Sequence, residues 1–134
     1  MSNQNQHYHA EKATIVVVED DVHIKHIVEM ILFELSFPYH LSVIGNAEEA
    51  LTYCQQHVCH LLMVDYSLPG MNGLELVAAL KEAGFGAPIV LLTGYEIANL
   101  ERQIADLGIA LYLRKPFPKD ELLAAVQRLL GFGG

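Results

Sequence analysis

The chain has 134 residues, 52% of them apolar and 18% charged, a balance that specifies one folded domain and excludes a wholly disordered chain. Eight Lys and Arg stand against 16 Asp and Glu, a net charge of −8, which argues against a surface built to bind nucleic acid or anionic lipid. No apolar run approaches the roughly 20 residues of a bilayer span, Met1 to Lys12 lacks the apolar core of a signal peptide, and Cys54 and Cys59 make no disulfide framework, so a cytoplasmic domain is expected.

Residues 1–13 are polar, show no hydrophobic periodicity and are expected to be a flexible tail. From Thr14 onward short apolar runs alternate with helical patterns. Ile15-Val16-Val17-Val18 is the first run. Ile24, Ile27, Val28, Ile31, Leu32 and Leu35 then keep the spacing of one buried helix face, with Asp21 placed as its cap. Leu41-Ser42-Val43-Ile44 contains a polar residue and suits an edge strand. Ala47, Ala50, Leu51 and Cys54 form a second helical stripe behind Asn46 as cap. Leu61-Leu62-Met63-Val64 is the third strand. After it, Pro69 and Gly70-Met71-Asn72-Gly73 read as a turn, and Leu74, Val77 and Leu80 as a third helix that Gly84 can end. Ile89-Val90-Leu91-Leu92 is the fourth strand, with Ile97, Leu100, Ile104 and Leu107 as a fourth helix ended by Gly108. Ala110-Leu111-Tyr112-Leu113 is the fifth strand. Leu122, Leu123, Val126, Leu129 and Leu130 make the fifth helix, entered through Pro118. Residues 131–134 are a C-terminal tail or the start of a linker.

Apolar runs of four imply strands buried on both faces of a parallel sheet. Strict strand–helix alternation implies right-handed crossovers and helices on both faces, an α/β architecture with five strands and five helices. In such sheets ligands bind beyond the carboxyl ends of the strands, so the residues after each run carry the information. Glu19, Asp20 and Asp21 follow the first strand, Asp65 the third, Thr93 the fourth, and Arg114 and Lys115 the fifth. Exposed strand ends are often polar, and capping explains Asp21. It does not explain acids after the first and third strands with a hydroxyl and a lysine after the fourth and fifth. Crowded carboxylates need a cation or protons to coexist, and oxygen-only donors suit Mg²⁺. A metal beside a lysine and a threonine is an arrangement for phosphate oxygens, so the residues point to Mg²⁺-dependent phosphoryl chemistry.

The sequence resembles the receiver domain of two-component response regulators across residues 14–130. The motifs that carry the likeness are IVVVEDD at 15–21, LLMVDYSLPGMNG at 61–73, IVLLTGYE at 89–96 and YLRKPF at 112–117. The resemblance implies a flavodoxin-like sheet of strand order 2-1-3-4-5. It implies Asp65 as phosphoacceptor, Asp20 as a metal ligand, Glu19 acting on the metal through water, and Ser67 giving its backbone carbonyl. Thr93 matches the hydroxyl that binds the phosphoryl group and Lys115 the lysine that pairs with it. Tyr112 occupies the position of the switch aromatic, and Lys115-Pro116 that of a cis peptide bond. Ser67 and Tyr95 stand where the family tunes phosphoryl lifetime, a small residue that admits water and a bulky one that shields. The implied function is phosphorelay signalling: a histidine kinase or phosphotransfer protein supplies the phosphoryl group, and the domain then switches its affinity for a downstream protein target or an output domain. It catalyses only its own phosphorylation and dephosphorylation and turns over no external metabolite.

Two rivals are weaker. A Mg²⁺-dependent phosphatase using an aspartyl phosphate, of the haloacid dehalogenase kind, places its nucleophile in a D-x-D pair directly after the first strand and needs a substrate cap. A receiver-like interaction module independent of phosphorylation would have lost matched positions, and here all are intact. Cys54-Gln-Gln-His57-Val-Cys59-His60 has the composition of a zinc cluster, but Cys54 falls on the apolar stripe of its helix, so burial as a small hydrophobe is the expected role. His7, His9, His23 and His26 are expected to be solvated.

Overall fold

A computed structural model describes residues 12–94 and 98–131. Among them the chain alternates β1 (Ala13–Val18), α1 (Val22–Leu32), β2 (Tyr39–Ile44), α2 (Ala47–Gln56), β3 (Leu61–Asp65), α3 (Gly73–Glu82), β4 (Ile89–Thr93), α4 (Glu101–Asp106), β5 (Leu111–Arg114) and α5 (Lys119–Leu129). The five strands are parallel in the order β2-β1-β3-β4-β5, the flavodoxin-like order that the resemblance implied. Among the described residues no helix is long and apolar enough to cross a membrane.

The period-two alternation of the strands divides the core into two layers. Val16, Val18, Leu62, Val64, Ile89 and Leu91 face α2, α3 and α4, against Ala47, Ala50, Leu74, Val77, Leu80 and Ile104. Ile15, Val17, Leu61, Met63, Val90 and Leu92 face the opposite way, against Val28, Ile31 and Leu32 of α1 and Leu122 and Val126 of α5. The central strands β1, β3 and β4 are therefore covered on both faces, as their apolar runs required.

The fifth run departs from that expectation. β5 is an edge strand covering Leu111–Arg114, with only Leu113 fully buried, and Ala110 lies outside it, exposed. β2 is the other edge and begins earlier than its apolar run, at Tyr39. In α1, Ile27 is 44% exposed and does not join the buried face, whose fully buried positions are Val28, Ile31 and Leu32. The helix ends at Leu32, and two tight turns, from Glu34 N to Ile31 O and Leu35 N to Leu32 O, bring Leu35 back to the core. α4 is shorter than its apolar spacing implied: Leu100 is its first cap position and supplies no side-chain hydrogen bond. Ile97 and Tyr95 lie outside the described residues. Pro118 is the N-cap of α5 rather than part of its first turn.

Candidate functional site

Strand register builds the site. Val18 pairs with Val64, so the next residues along each strand, Glu19 and Asp65, stand side by side at the carboxyl edge. Asp65 pairs with Leu92 and Thr93 with Arg114, which places Thr93 and Lys115 one step further across the same edge. The N–H of Lys115 donates to the carbonyl of Thr93 at 2.8 Å, fixing β5 to β4 at this point. The Lys115-Pro116 peptide bond that follows is cis.

The acids are deeply placed. Glu19 is 0% exposed and Asp65 3%, whereas Asp20 reaches solvent at the rim. One oxygen of each of Glu19, Asp20 and Asp65 lies within 4.8 Å of the others, and this is the one group of three or more potential metal ligands among the described residues. The Lys115 ammonium enters between two of them, donating to Asp65 Oδ1 at 2.8 Å and to Glu19 Oε1 at 3.1 Å. Glu19 Oε2 accepts from the Asp21 N–H at 3.1 Å, and the Asp21 carboxylate turns away to accept from the N–H groups of His23 and Ile24, capping α1 as its position required.

Charge does not balance here. Burial pushes the Glu19 carboxyl up to about 7; the Asp21 N–H opposes the rise, the negative charge of Asp65 adds to it, and Lys115 offsets only part. Burial disfavours the Lys115 ammonium, but hydrogen bonds and charge from Asp65 and Glu19 outweigh it and raise its pKa. Two buried carboxylates thus share one lysine, with Asp20 beside them at the rim. Their clustered hard oxygens suit a small divalent cation such as Mg²⁺, which tolerates few protein ligands.

Thr93, at the end of β4, is 0% exposed. Tyr112 on β5 is 38% exposed and borders a groove of about 380 Å³ with Glu101, Ile104 and Ile109. Ser67 lies in the exposed loop two residues after Asp65. The zinc-like cluster does not assemble among the described residues: the His57 ring stacks on Tyr53 at 4.1 Å, and His60 Nδ1 accepts from the Thr14 N–H at 2.9 Å. His23 and His26 are exposed on α1.

Gly73 packs closely against the backbone of Asp65. A Cβ on Gly73 would stand 2.4 Å from the Asp65 carbonyl oxygen and 3.0 Å from Tyr66 Cα, and the Gly73 N–H donates to the Tyr66 carbonyl at 2.8 Å. Beside it, Asn72 and Glu75 form a reciprocal capping box at the start of α3. The box is visible in the sequence as Asn-x-x-Glu before an apolar run; the backbone crossing at Gly73 is a tertiary contact with no such local signal.

Residues 15–127 match the family described as the response regulator receiver domain. The chain belongs to that family. This receiver domain is 30% identical over 125 residues to the uncharacterized transcriptional regulatory protein YkoG of Bacillus subtilis, a match covering 92% of the chain and 54% of that protein. It is also 30% identical over 118 residues to the cell cycle response regulator CtrA of Brucella ovis, covering 87% of the chain and 49% of that protein. The chain spans about half the length of these curated relatives. Among solved structures, a CheY-like response regulator receiver domain protein from Methanospirillum hungatei aligns with a TM-score of 0.81 at 26% identity, covering 90% of this chain and 95% of that one. The receiver domain of a sensor histidine kinase from Pseudomonas aeruginosa, with a magnesium ion coordinated in its active-site cleft, shares the fold with a TM-score of 0.79 at 24% identity, over 90% of this chain and 99% of that one.

Proposed function

We propose that this receiver domain takes a phosphoryl group onto Asp65 from a phosphohistidine on a histidine kinase or phosphotransfer protein. The observation that carries the reading is the buried Asp65 carboxylate, held at 2.8 Å by Lys115 and flanked by Glu19 and Asp20. An Asp65 oxygen attacks phosphorus in line, the phosphorus–nitrogen bond of the donor breaks, and the imidazole leaves with its electron pair; the product is an acyl phosphate. Lys115 balances charge on the phosphoryl oxygens, and the Thr93 hydroxyl donates to one of them. Glu19, Asp20, Asp65 and the Ser67 carbonyl are the groups that would hold Mg²⁺, whose positive charge stabilises the transferring phosphoryl group.

The new dianion biases the face formed by α4, β5 and α5 through Thr93 and Tyr112, and so changes affinity for a downstream protein or a linked output domain. The signalling unit spans residues 14–130 together with Ala13, which was expected in the tail but is the first residue of β1. The setting is cytoplasmic, where a kinase and its phosphodonor are available. The domain is a switch that catalyses its own modification rather than an enzyme acting on a metabolite.

Incubation with Mg²⁺ and acetyl phosphate tests this. Intact mass should show one phosphoryl group, labile to hydroxylamine, and Asp65→Asn should remove it. Persistent single-site labelling of that variant would move the acceptor elsewhere.

A further inference from the structure

β2 closes one side of the sheet, and its outer edge is a template for another strand. The Ala13 N–H donates to the Pro38 carbonyl at 3.3 Å and the Glu19 N–H to the Ile44 carbonyl at 2.9 Å. With Ile15 paired to Leu41 and Val17 to Val43, these bonds fix the parity of the strand. His40 and Ser42 turn their backbone groups to β1, and Tyr39, Leu41 and Val43 turn theirs outward. No hydrogen bond from the described residues reaches those outward groups. Exposed edges are commonly blunted by charge, proline, a bulge or shortness. The strand Tyr39–Ile44 has six residues, pairs with β1 at every position without a bulge, and contains no Pro, Asp, Glu, Lys or Arg. The opposite edge, β5, is four residues long and ends in Arg114.

We infer that the β2 edge docks a second copy of this chain, the two β2 strands pairing antiparallel about a two-fold axis at Leu41. The occupant follows from the strand's complementarity to itself. An antiparallel ladder uses donors and acceptors on alternate residues of both partners. The outward set of Tyr39, Leu41 and Val43 is symmetric about Leu41, so it meets its own copy in register. Leu41 faces Leu41 of the second copy and Tyr39 faces its Val43, each pair exchanging both N–H···O bonds. The side chains agree with this ladder. Tyr39, Leu41 and Val43 are half-buried on the face packed against the α1 layer. Across the axis an aromatic ring therefore meets a β-branched side chain and leucine meets leucine, pairs that stabilise a sheet. On the other face the exposed His40 meets Ser42, whose Oγ is hydrogen-bonded to Tyr53 Oη at 2.8 Å. No like charges meet along the paired strands, although each chain carries a net charge of −8. The same patch serves on both chains, so assembly closes at two copies. The paired strands run in opposite directions, so the carboxyl edges that carry Asp65 face away from each other and both sites stay open.

Sedimentation equilibrium of the parent at rising protein concentration should show the average mass climbing towards twice that of one chain and no further. Amide hydrogen exchange read by NMR tests the parity. As concentration rises, Tyr39, Leu41 and Val43 should gain protection, while His40 and Ser42, already bonded to β1, should change little. Val43→Pro removes an outward donor that makes no bond within the sheet, a change that edge strands tolerate, and should hold the chain at monomer mass. Leu41→Lys sets like charges opposite each other at the axis and should do the same. Amide spectra that match the parent away from β2 establish that a variant is folded, and the parent's own exchange pattern decides the matter if neither variant folds. A parent that stays monomeric at every concentration overturns the inference, as does a dimer in which Tyr39, Leu41 and Val43 gain no protection. So does a folded Val43→Pro that dimerises like the parent. Protection of those three amides in a monomer would assign the edge to another segment of the same chain, and mass beyond two copies would show an open assembly; either result also overturns it.

Discussion

Gly73 lacks a side chain at the point where α3 begins and the backbone of Asp65 passes closest. A methyl group there would stand 2.4 Å from the Asp65 carbonyl oxygen, closer than real Cβ atoms come, and the obstacle is main chain that cannot rotate aside. Gly73→Ala must therefore shift the Asp65–Gly73 loop, which carries the proposed acceptor carboxylate and the Ser67 carbonyl together. Displacements of about 1 Å at a reacting group can cost about a hundredfold in rate. Phosphorylation by acetyl phosphate with Mg²⁺ should slow by about that factor, with an overpacking cost to stability of about 1–3 kcal/mol. A folded Gly73→Ala protein phosphorylated at the parental rate would show that the crossing does not position Asp65. Glu19 offers a second test at this scale. Its carboxyl titrates near 4.5 in the unfolded chain and at about 7 in the folded, metal-free protein. The folded state therefore holds a proton that the unfolded state has released, and stability contributed by Glu19 is complete below 4.5 and lost as pH rises through about 7. Without Mg²⁺ the thermal midpoint should fall across that window, and Glu19→Gln should flatten the fall. Saturating Mg²⁺ should also reduce it, since a bound cation favours the ionised carboxylate. A parental slope in Glu19→Gln would assign the titration to another group.

At the scale of elements, the parts legible in the sequence are those whose signal is local. Runs such as Leu61–Val64 declare strands buried on both faces, and caps at Asp21 and Asn46 declare helix starts, because side-chain oxygen and backbone N–H lie within three residues of each other. Glu19, Asp20, Asp65, Thr93 and Lys115 were legible as candidates for the same reason, since each stands at or just past the end of a recognisable strand, and the fold brings Glu19, Asp20, Asp65 and Lys115 together; Ser67 and Tyr112 were named only by the resemblance. The parts that sequence reading placed wrongly depend on distant neighbours. An apolar run cannot report that β5 has a partner on one side only, nor can helical spacing report that Ile27 is left 44% exposed. The start of α4 was illegible for want of a cap, since Leu100 supplies no side-chain bond. The capping box of α3 supplies a prediction. Asn72 accepts from the Glu75 N–H at 2.9 Å, and Glu75 Oε1 accepts from the Asn72 N–H at 2.8 Å. Asn72→Ala should cost about 1 kcal/mol of unfolding free energy, readable by urea titration. Because α3 starts at Gly73, fraying there should also slow phosphorylation; an unchanged unfolding midpoint would show that water replaces the cap.

For the molecule as a whole, the site and the proposed output surface share one strand pair, two residues apart. Thr93 ends β4 beside Lys115, and Tyr112 stands two residues back from Arg114 on β5, on the groove shared with α4. A phosphoryl group on Asp65 can shift a two-state equilibrium only through contacts that differ between the states. Lys115 already holds Asp65 before phosphorylation, so its contact changes least, while the phosphoryl group brings a new acceptor to the buried Thr93 hydroxyl. Thr93→Ala should therefore separate chemistry from signalling. Asp65, Lys115, Glu19 and Asp20 remain, so phosphorylation should proceed, at a reduced rate because one donor to the phosphoryl oxygens is gone. Amide spectra should show phosphorylation-dependent shifts around Asp65, with far smaller shifts at Tyr112 and along α4 than in the parent. Tyr112→Ala should give the converse pattern, with Asp65 and Thr93 responding fully and the α4 face altered. If Thr93→Ala instead carries the full parental change to Tyr112, the hydroxyl is not the sensor, and coupling must run through Lys115 and the backbone bond from its N–H to the carbonyl of residue 93.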